Sequence, residues 1–154
     1  MKQTTHTPLK TDPSEYTILI VDDNPTNLGF LSDTLESHGF NTVIARNGET
    51  TLERIKYIQP NLILLDIMMP GIDGFETCRR LKANDYTKDI PVIFMTALSE
   101  TESKVKGFKV GAVDYVTKPL QENEILARIT THLSIRDLAK NLQQQNQILS
   151  KYEN

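Results

Sequence analysis

Residues 17–25 read TILIVDDNP, an apolar, β-branched run that ends in two acids, an asparagine and a proline. Four apolar residues in succession, Ile18 to Val21, are typical of a strand covered on both faces and therefore of a parallel sheet. Asn24 followed by Pro25 predicts a helix start, because Asn caps free N–H groups and Pro at the first helical position loses no hydrogen bond. The stretch predicts a strand, an acidic turn and a helix.

The same pattern recurs along the chain, with short apolar runs alternating with amphipathic stretches of helical length. We predict strands at Thr17–Val21, Asn41–Ala45, Leu62–Leu65, Val92–Met95 and Ala112–Val116. We predict helices at Pro25–His38, Glu49–Tyr57, Gly74–Ala83 and Ser99–Val110, and a last helix from Gln121 onward. Five regular β-α units predict one doubly wound α/β domain with a parallel sheet over residues 15–134.

Composition limits the classes of protein to consider. With 154 residues, of which 38% are apolar and 24% charged, the chain has the composition of a soluble globular domain. One cysteine and three histidines without ligand spacing argue against disulfides and zinc and fit a reducing compartment. The net charge of −3 and the lack of a basic block indicate no direct nucleic-acid partner. No signal peptide or membrane span is apparent, so we expect a cytoplasmic protein without membrane association.

The two ends of the chain differ from the domain. Residues 1–14 show no periodicity, and we expect a disordered tail. Residues 135–154 continue the last helix with a heptad pattern, which predicts a dimerising coiled coil or a helix leading to an output domain beyond this chain. A solvated terminal helix with incidental leucines is the alternative. The heptad positions are Ile135, Leu138, Leu142, Gln145, Leu149 and Tyr152.

Polar side chains follow four of the predicted strands. Asp22 and Asp23 follow the first strand, Asp66 the third, Thr96 the fourth and Lys118 the fifth. In open parallel sheets the carboxyl ends of the strands meet at one edge, where ligands bind. Any one of these acids alone is commonly a turn or capping residue, but the combination at four strand ends favours a functional site.

The types of residue at this edge indicate its chemistry. Three close carboxylates repel one another, so they take up a proton or bind a cation. Oxygen ligands without His or Cys favour Mg²⁺, which keeps several waters and recruits phosphate oxygens. A carboxylate can be the nucleophile that forms an acyl phosphate while metal and ammonium neutralise charge. Acids, Mg²⁺ and a lysine together indicate phosphoryl chemistry.

Four motifs carry a resemblance to a known family: VDDN at residues 21–24, LDIMMPGIDG at 65–74, MTA at 95–97 and GAVDYVTKP at 111–119. Over residues 16–134 the chain resembles the receiver domains of bacterial two-component response regulators. The resemblance implies a flavodoxin-like fold, with five parallel strands in the order 2-1-3-4-5 and five flanking helices. It also implies a signalling protein whose only catalysis is its own phosphorylation and dephosphorylation.

The resemblance implies a role for each acid. Asp66 would accept a phosphoryl group from a sensor histidine kinase or a histidine phosphotransfer protein. Asp23 and Asp66 would ligate Mg²⁺ directly, with Mn²⁺ as a substitute, and Asp22 would act largely through water. The backbone carbonyl of Met68 would complete the protein ligands.

The remaining motif residues would sense the phosphoryl group. By the resemblance, Lys118 pairs with one phosphate oxygen and the Thr96 hydroxyl bonds another, while Tyr115 turns inward behind Thr96. A tyrosine that merely packs in the strand is the alternative for Tyr115. The resemblance also implies a cis peptide bond between Lys118 and Pro119.

The resemblance implies roles for two further pairs of positions. Met68 and Leu98 lie two residues after Asp66 and Thr96, where receiver domains tune dephosphorylation. Both are apolar, and we expect a long-lived phosphoaspartate because apolar side chains cannot orient an attacking water. Asp114 and Arg128 match positions that pair across a dimer face formed by the fourth helix, fifth strand and fifth helix, although an ordinary solvated face explains two charges equally well.

Other functions fit less well. Hydrolases of the haloacid dehalogenase type need a second Asp two residues after the nucleophile, where this chain has Met68. Flavodoxin-like cofactor carriers need an anion cradle after the first strand, where residues 22–24 present negative charge. The remaining alternative is a receiver-like adaptor that dimerises through its C-terminal helix independently of phosphorylation.

Overall fold

The computed structural model describes residue 9, residues 11–97 and residues 101–152. The strands are β1 (Thr17–Val21), β2 (Asn41–Ala45), β3 (Leu62–Asp66), β4 (Val92–Thr96) and β5 (Asp114–Thr117). The helices are α1 (Pro25–Ser37), α2 (Gly48–Ile58), α3 (Gly74–Lys82), α4 (Thr101–Lys109) and α5 (Glu122–Tyr152). The predicted alternation of strands and helices is confirmed.

The five strands form one parallel sheet in the order β2-β1-β3-β4-β5. Every residue of β3 and β4 is buried, and β1 is buried from Ile18 to Val21. The edge strand β2 is partly exposed, because it pairs with β1 alone. The continuous apolar runs therefore mark the strands that are covered on both faces.

Two apolar layers cover the sheet. Ile18 and Ile20 of β1 pack with α1 and α5 on one face, whereas Leu19 and Val21 pack with α2 and α3 on the other. This division follows from the alternation of side chains along a strand. The resulting scaffold holds the carboxyl ends of the strands at one edge.

The ends of the first helix follow the capping residues. The Asn24 side chain accepts hydrogen bonds from the N–H groups of Thr26 and Asn27, and Pro25 is the first helical residue. Gly39 follows the helix with φ +92°, a conformation that glycine adopts without steric cost. Both signals were readable from the sequence.

The bounds of β1 and β2 are as predicted, and the other described bounds differ from the predicted ones by at most two residues, as expected for helix and strand ends. The largest described shift is at β5, which begins at Asp114 rather than Ala112. The N–H of Ala112 bonds to the Gly107 carbonyl and that of Gly111 to the Phe108 carbonyl, so both residues close α4 instead of extending the strand. The predicted start of α4 at Ser99 lies outside the described residues.

Most of the N-terminal tail that we expected to be disordered lies outside the described residues. Its described end is ordered: Pro13–Glu15 form a 3-10 turn capped by Asp12, and Leu9 packs against the apolar layer under α1 and α5. Burial of the apolar Leu9 side chain against this layer is favourable. The sequence of the tail has no periodicity that would have predicted this contact.

The last helix continues without a break past residue 134. With 31 residues, α5 is about 46 Å long, and its second half extends beyond the sheet. The C-terminal helical extension is confirmed, while a coiled coil stays a prediction. Of the helices in the described part of the chain, none combines the length and apolarity needed to cross a membrane.

Candidate functional site

Three carboxylates meet at the carboxyl end of the sheet. Asp22 follows β1 directly and Asp66 ends β3, and the two strands pair with Val21 opposite Leu65, so the two acids lie side by side. One carboxylate oxygen from each of Asp22, Asp23 and Asp66 lies within 4.8 Å of the others. The side chains of Asp22 and Asp66 are only 0% and 5% exposed, whereas Asp23 is exposed to solvent. The cluster is therefore a buried acid pair with one acid at its mouth.

Lys118 supplies the positive charge in the cluster. Its Nζ lies 3.2 Å from Oδ1 of Asp66 and 3.5 Å from Oδ2 of Asp22. The Lys118 N–H donates to the Thr96 carbonyl, which holds the residue beside the end of β4, and the Lys118–Pro119 peptide bond is cis. One ammonium thus bridges two buried carboxylates.

The first turn of α1 orients Asp22. The backbone N–H of Asn24 donates to its Oδ1 at 2.9 Å, and Nδ2 of Asn27 donates to its Oδ2 at 3.2 Å. Sequence reasoning missed Asn27. Because Asp22 precedes the helix, no helical spacing links it to Asn27, and an amide side chain in the first turn after the acid pair was the available signal.

The environment raises the pKa of Asp66 to about 6. Burial is the main cause and the negative charge of Asp22 adds to it, while Lys118 opposes both. A cation among the three carboxylates would relieve this repulsion. The donors are all oxygens and two of them are buried, so the set fits a hard divalent cation.

Thr96 and Tyr115 lie on neighbouring strands. Thr96 ends β4 and is buried, and the β4–β5 register places Phe94 opposite Tyr115. The Tyr115 ring meets the Phe108 ring edge-on with centroids 6.0 Å apart, and Nζ of Lys104 lies 4.4 Å from the Tyr115 centroid. Two residues of α4 therefore contact the tyrosine, and neither was a sequence candidate.

The charged pair on β5 and α5 is joined within one chain. Nη1 of Arg128 lies 2.9 Å from both carboxylate oxygens of Asp114, and Nε2 of His132 lies 2.9 Å from Oδ2. Burial acts to raise the pKa of Asp114, but hydrogen bonds from His132 and Arg128 hold it below its ordinary value. Within one chain the pair forms because α5 packs directly on β5. A dimer face that uses Asp114 and Arg128 between two copies stays a prediction.

The two positions expected to tune phosphate lifetime differ in what the structure describes. Met68 lies in the loop between β3 and α3, and it is 69% exposed. Leu98 lies outside the described residues.

Residues 18–130 match the family described as the response regulator receiver domain. The chain belongs to this family. The receiver domain is 41% identical over 138 residues to a Vibrio cholerae protein named "Probable cyclic di-GMP phosphodiesterase", a match that covers 90% of this chain and 31% of that protein. It is 39% identical over 134 residues to the "DNA-binding dual master transcriptional regulator RpaA" of Synechocystis, covering 87% of this chain and 56% of RpaA.

Solved receiver structures share the fold. The signal receiver domain of a signal transduction histidine kinase from Syntrophus aciditrophicus superposes with a TM-score of 0.72 at 36% identity, over 77% of this chain and 90% of that one. Together with the family match, this makes the chain a receiver domain of two-component signalling. The flavodoxin-like fold predicted from the resemblance is confirmed.

The chain spans about a third to about half of the two curated relatives. The phosphodiesterase and DNA-binding names therefore describe proteins much longer than the matched part. One relative is named as DNA-binding, so the expectation of no nucleic-acid partner is unsupported by the comparisons and stays a prediction.

Removing the Asp66 charge should stabilise the metal-free protein. The folded state holds a proton on Asp66 up to about pH 6, whereas the unfolded chain releases it near 3.8, so this carboxyl destabilises the fold increasingly as pH rises from about 4 to 6. We expect Asp66→Asn to raise the free energy of unfolding at pH 7 by up to about 3 kcal/mol. The gain should shrink towards zero as the pH falls to about 3.5.

Urea denaturation in the presence of a chelator measures this difference. Asp33→Asn is the matched control, because it removes one negative charge from the exposed side of α1. An Asp66→Asn variant that is no more stable than the wild type at pH 7 would count against the raised pKa of Asp66.

Proposed function

We propose that this receiver domain accepts a phosphoryl group on Asp66 from a phosphohistidine of a sensor histidine kinase or histidine phosphotransfer protein, in a Mg²⁺-dependent reaction. The observation that carries the proposal is the buried pair of Asp66 and Asp22 with Lys118 Nζ at 3.2 Å and 3.5 Å. Burying two acids beside a single ammonium costs desolvation free energy, which a purely structural role does not explain. The family match supports the same function.

The transfer is a nucleophilic displacement at phosphorus. A carboxylate oxygen of Asp66 forms the new O–P bond, and the P–N bond of the phosphohistidine breaks. The imidazole nitrogen leaves with the bonding electrons and takes up a proton. At neutral pH the Asp66 carboxyl, with a pKa of about 6, is mostly ionised and therefore able to attack.

The residues that would hold Mg²⁺ are Asp22, Asp23, Asp66 and the backbone carbonyl of Met68. When bound, the cation neutralises charge on the carboxylates and on the phosphoryl oxygens. Asp22 is held in place by Asn24 and Asn27. The cluster is thus oriented before a phosphodonor arrives.

Lys118 and Thr96 would bind the transferred group. Lys118 already contacts Oδ1 of Asp66, so its ammonium needs to move little to pair with a phosphate oxygen. Thr96 ends the neighbouring strand with its side chain buried, and its hydroxyl would bond a second oxygen. A new bond to Thr96 favours the conformer in which Tyr115 turns inward.

The output surface would comprise α4, β5 and α5. Tyr115 contacts Phe108 and Lys104 of α4, and its neighbour Asp114 binds Arg128 of α5. A change at Tyr115 therefore reaches both helices. This surface would carry the signal to an output element or to a second copy of the chain.

Phosphorylation of Asp66 is tested by intact-protein mass spectrometry. Incubation with Mg²⁺ and acetyl phosphate or phosphoramidate should add one phosphoryl group to the wild type, and omission of the metal or the change Asp66→Asn should abolish the adduct. Asp33→Asn, an exposed acid on α1, is the matched control and should be phosphorylated normally. No adduct with either donor, under conditions where Mg²⁺ binding is demonstrated, would refute the proposal.

We also propose a long-lived phosphoaspartate. The apolar, exposed Met68 side chain offers no group to orient a water towards the acyl phosphate. Met68→Asn should speed hydrolysis severalfold, as followed by the decay of the adduct mass, and Met68→Leu should leave the rate near that of the wild type. The same test applies to Leu98→Asn. Hydrolysis that is no faster in either asparagine variant contradicts this proposal.

A second candidate function is an adaptor that dimerises through the C-terminal helix. Four heptad positions of the extension, Ile135, Leu138, Leu142 and Leu149, are each 54–60% exposed, and they form one apolar stripe. Tyr16 donates a hydrogen bond to the Asp137 carboxylate, and Nη1 of Arg136 donates to the Asn61 carbonyl at 2.7 Å. These bonds hold the helix against the base of the sheet by the side away from the stripe.

Sedimentation velocity tests the dimer. Leu138→Ser with Leu142→Ser should convert a concentration-dependent dimer into a monomer, because the paired helices lose their central apolar contacts. Gln143→Ser with Gln144→Ser is the matched control on the polar side of the same helix. A dimer that persists in the leucine variant excludes the stripe as its interface.

Equal dimerisation of Asp66→Asn and phosphorylated wild type would favour the adaptor.

A further inference from the structure

We infer that Glu49, in the first turn of α2, is a positioning residue that holds the loop between β3 and α3, residues 67–73, and through it the backbone carbonyl of Met68. The inference rests on the proposed metal-assisted function of Asp66, because this loop follows the phosphoacceptor directly. It assigns a role to a residue outside the acid cluster and its motifs.

The two ends of the loop are anchored to different elements. At its start, the Ile67 N–H donates to the Met95 carbonyl at 3.3 Å and the Ile67 carbonyl accepts from Gly74 at 2.8 Å. Further along, the Ile72 N–H donates to Oε1 of Glu49 at 3.0 Å. The Glu49 carboxylate therefore ties the distal half of the loop to a second helix.

The backbone around this bond is tightly packed. Gly71 has φ +79°, and a Cβ at this position would lie 2.5 Å from Oε1 of Glu49. A Cβ at Gly48 would lie 2.2 Å from Oγ1 of Thr77 and 2.7 Å from Cγ1 of Ile72. The positive φ at Gly71 favours glycine, and a Cβ at Gly48 would overlap Thr77 and Ile72, so the first turn of α2 rests directly on the loop and on α3.

The first turn of α2, which carries the Glu49 carboxylate, is itself held in place. Oδ1 of Asn47 accepts the Thr50 N–H at 2.7 Å and caps α2, which sets the position of its first turn. The backbone N–H groups of Ile72 and of Glu49 itself hold the pKa of Glu49 below its ordinary value, so the side chain is ionised at neutral pH. A charged acceptor makes a stronger and more directional hydrogen bond than a neutral one.

The geometry gives Glu49 a route to the metal site. Met68 lies between Ile67 and Ile72, the two residues whose backbone is held by hydrogen bonds. The direction of its carbonyl group depends on the position of the chain on both sides. Groups that orient a metal ligand typically change metal affinity when they are removed. Glu49 is exposed, so its loss should affect the loop more than the stability of the fold.

Two variants of Glu49 distinguish the effect of its side-chain length from the effect of its negative charge. Glu49→Asp keeps the negative charge at the helix start, but its side chain is one methylene too short to reach Ile72. Glu49→Gln loses the charge and keeps an oxygen acceptor at the same reach. Calorimetric titration of the full chain with Mn²⁺, without a phosphodonor, should show affinity about tenfold weaker for Glu49→Asp and much closer to wild type for Glu49→Gln.

A direct readout of the loop accompanies the titration. Amide hydrogen exchange at Ile72 in the metal-free protein should be faster in Glu49→Asp than in the wild type. Glu53→Asp, an exposed acid one turn later on α2, is the matched control and should leave both exchange and affinity unchanged. A larger loss of affinity in Glu49→Gln than in Glu49→Asp would mean that Glu49 acts only through its charge, which overturns the inference.

The wild type and Asp23→Asn separate this inference from the proposed function. Wild-type Mn²⁺ binding that disappears in Asp23→Asn supports the metal site itself. If that site is intact and Glu49→Asp binds Mn²⁺ as tightly as the wild type, the positioning role alone is refuted. If the wild type binds no Mn²⁺, the proposed metal site and the role of Glu49 both fail.

Discussion

Two carboxylates buried next to one another beside a single ammonium are the constraint on which this receiver domain depends. Asp22 and Asp66 lie at the ends of paired strands, and Lys118 bridges them from the end of β5. Burial of like charges is unfavourable, so the arrangement raises the pKa of Asp66 and creates a demand for a proton or a cation. The proposed phosphoryl chemistry starts from this charge, which Lys118 relieves only in part.

The sheet and the surrounding loops have separate tasks. The fully buried strands β3 and β4 bring Asp66 and Thr96 to one edge in a register that the apolar core determines. The groups that complete the site lie on connecting segments, and hydrogen bonds from side chains of neighbouring helices hold these segments in place. Asn27 orients Asp22 from α1, and Glu49 holds the loop after Asp66 from α2. A rigid scaffold with tethered loops is the usual way to position polar groups.

On the face formed by α4, β5 and α5, two residues of β5 contact both helices of the same chain. Asp114 is shared by Arg128 and His132 of α5, while Tyr115 is contacted by Lys104 and Phe108 of α4. A dimer that used Asp114 and Arg128 between copies would therefore exchange an existing ion pair for a new one.

Local pattern was enough to predict the alternating elements, their caps and the acids at the strand ends, because each of these depends on residues that are neighbours in the sequence. The side chains of Asp22, Asp23, Asp66 and Lys118 meet as expected, since parallel strands share one carboxyl edge. Only the tertiary structure decided the partners of Glu49, Asp137 and His132. Those contacts join residues 18 to 121 positions apart, and they depend on which side chains reach across packed elements, a property that no local period reports.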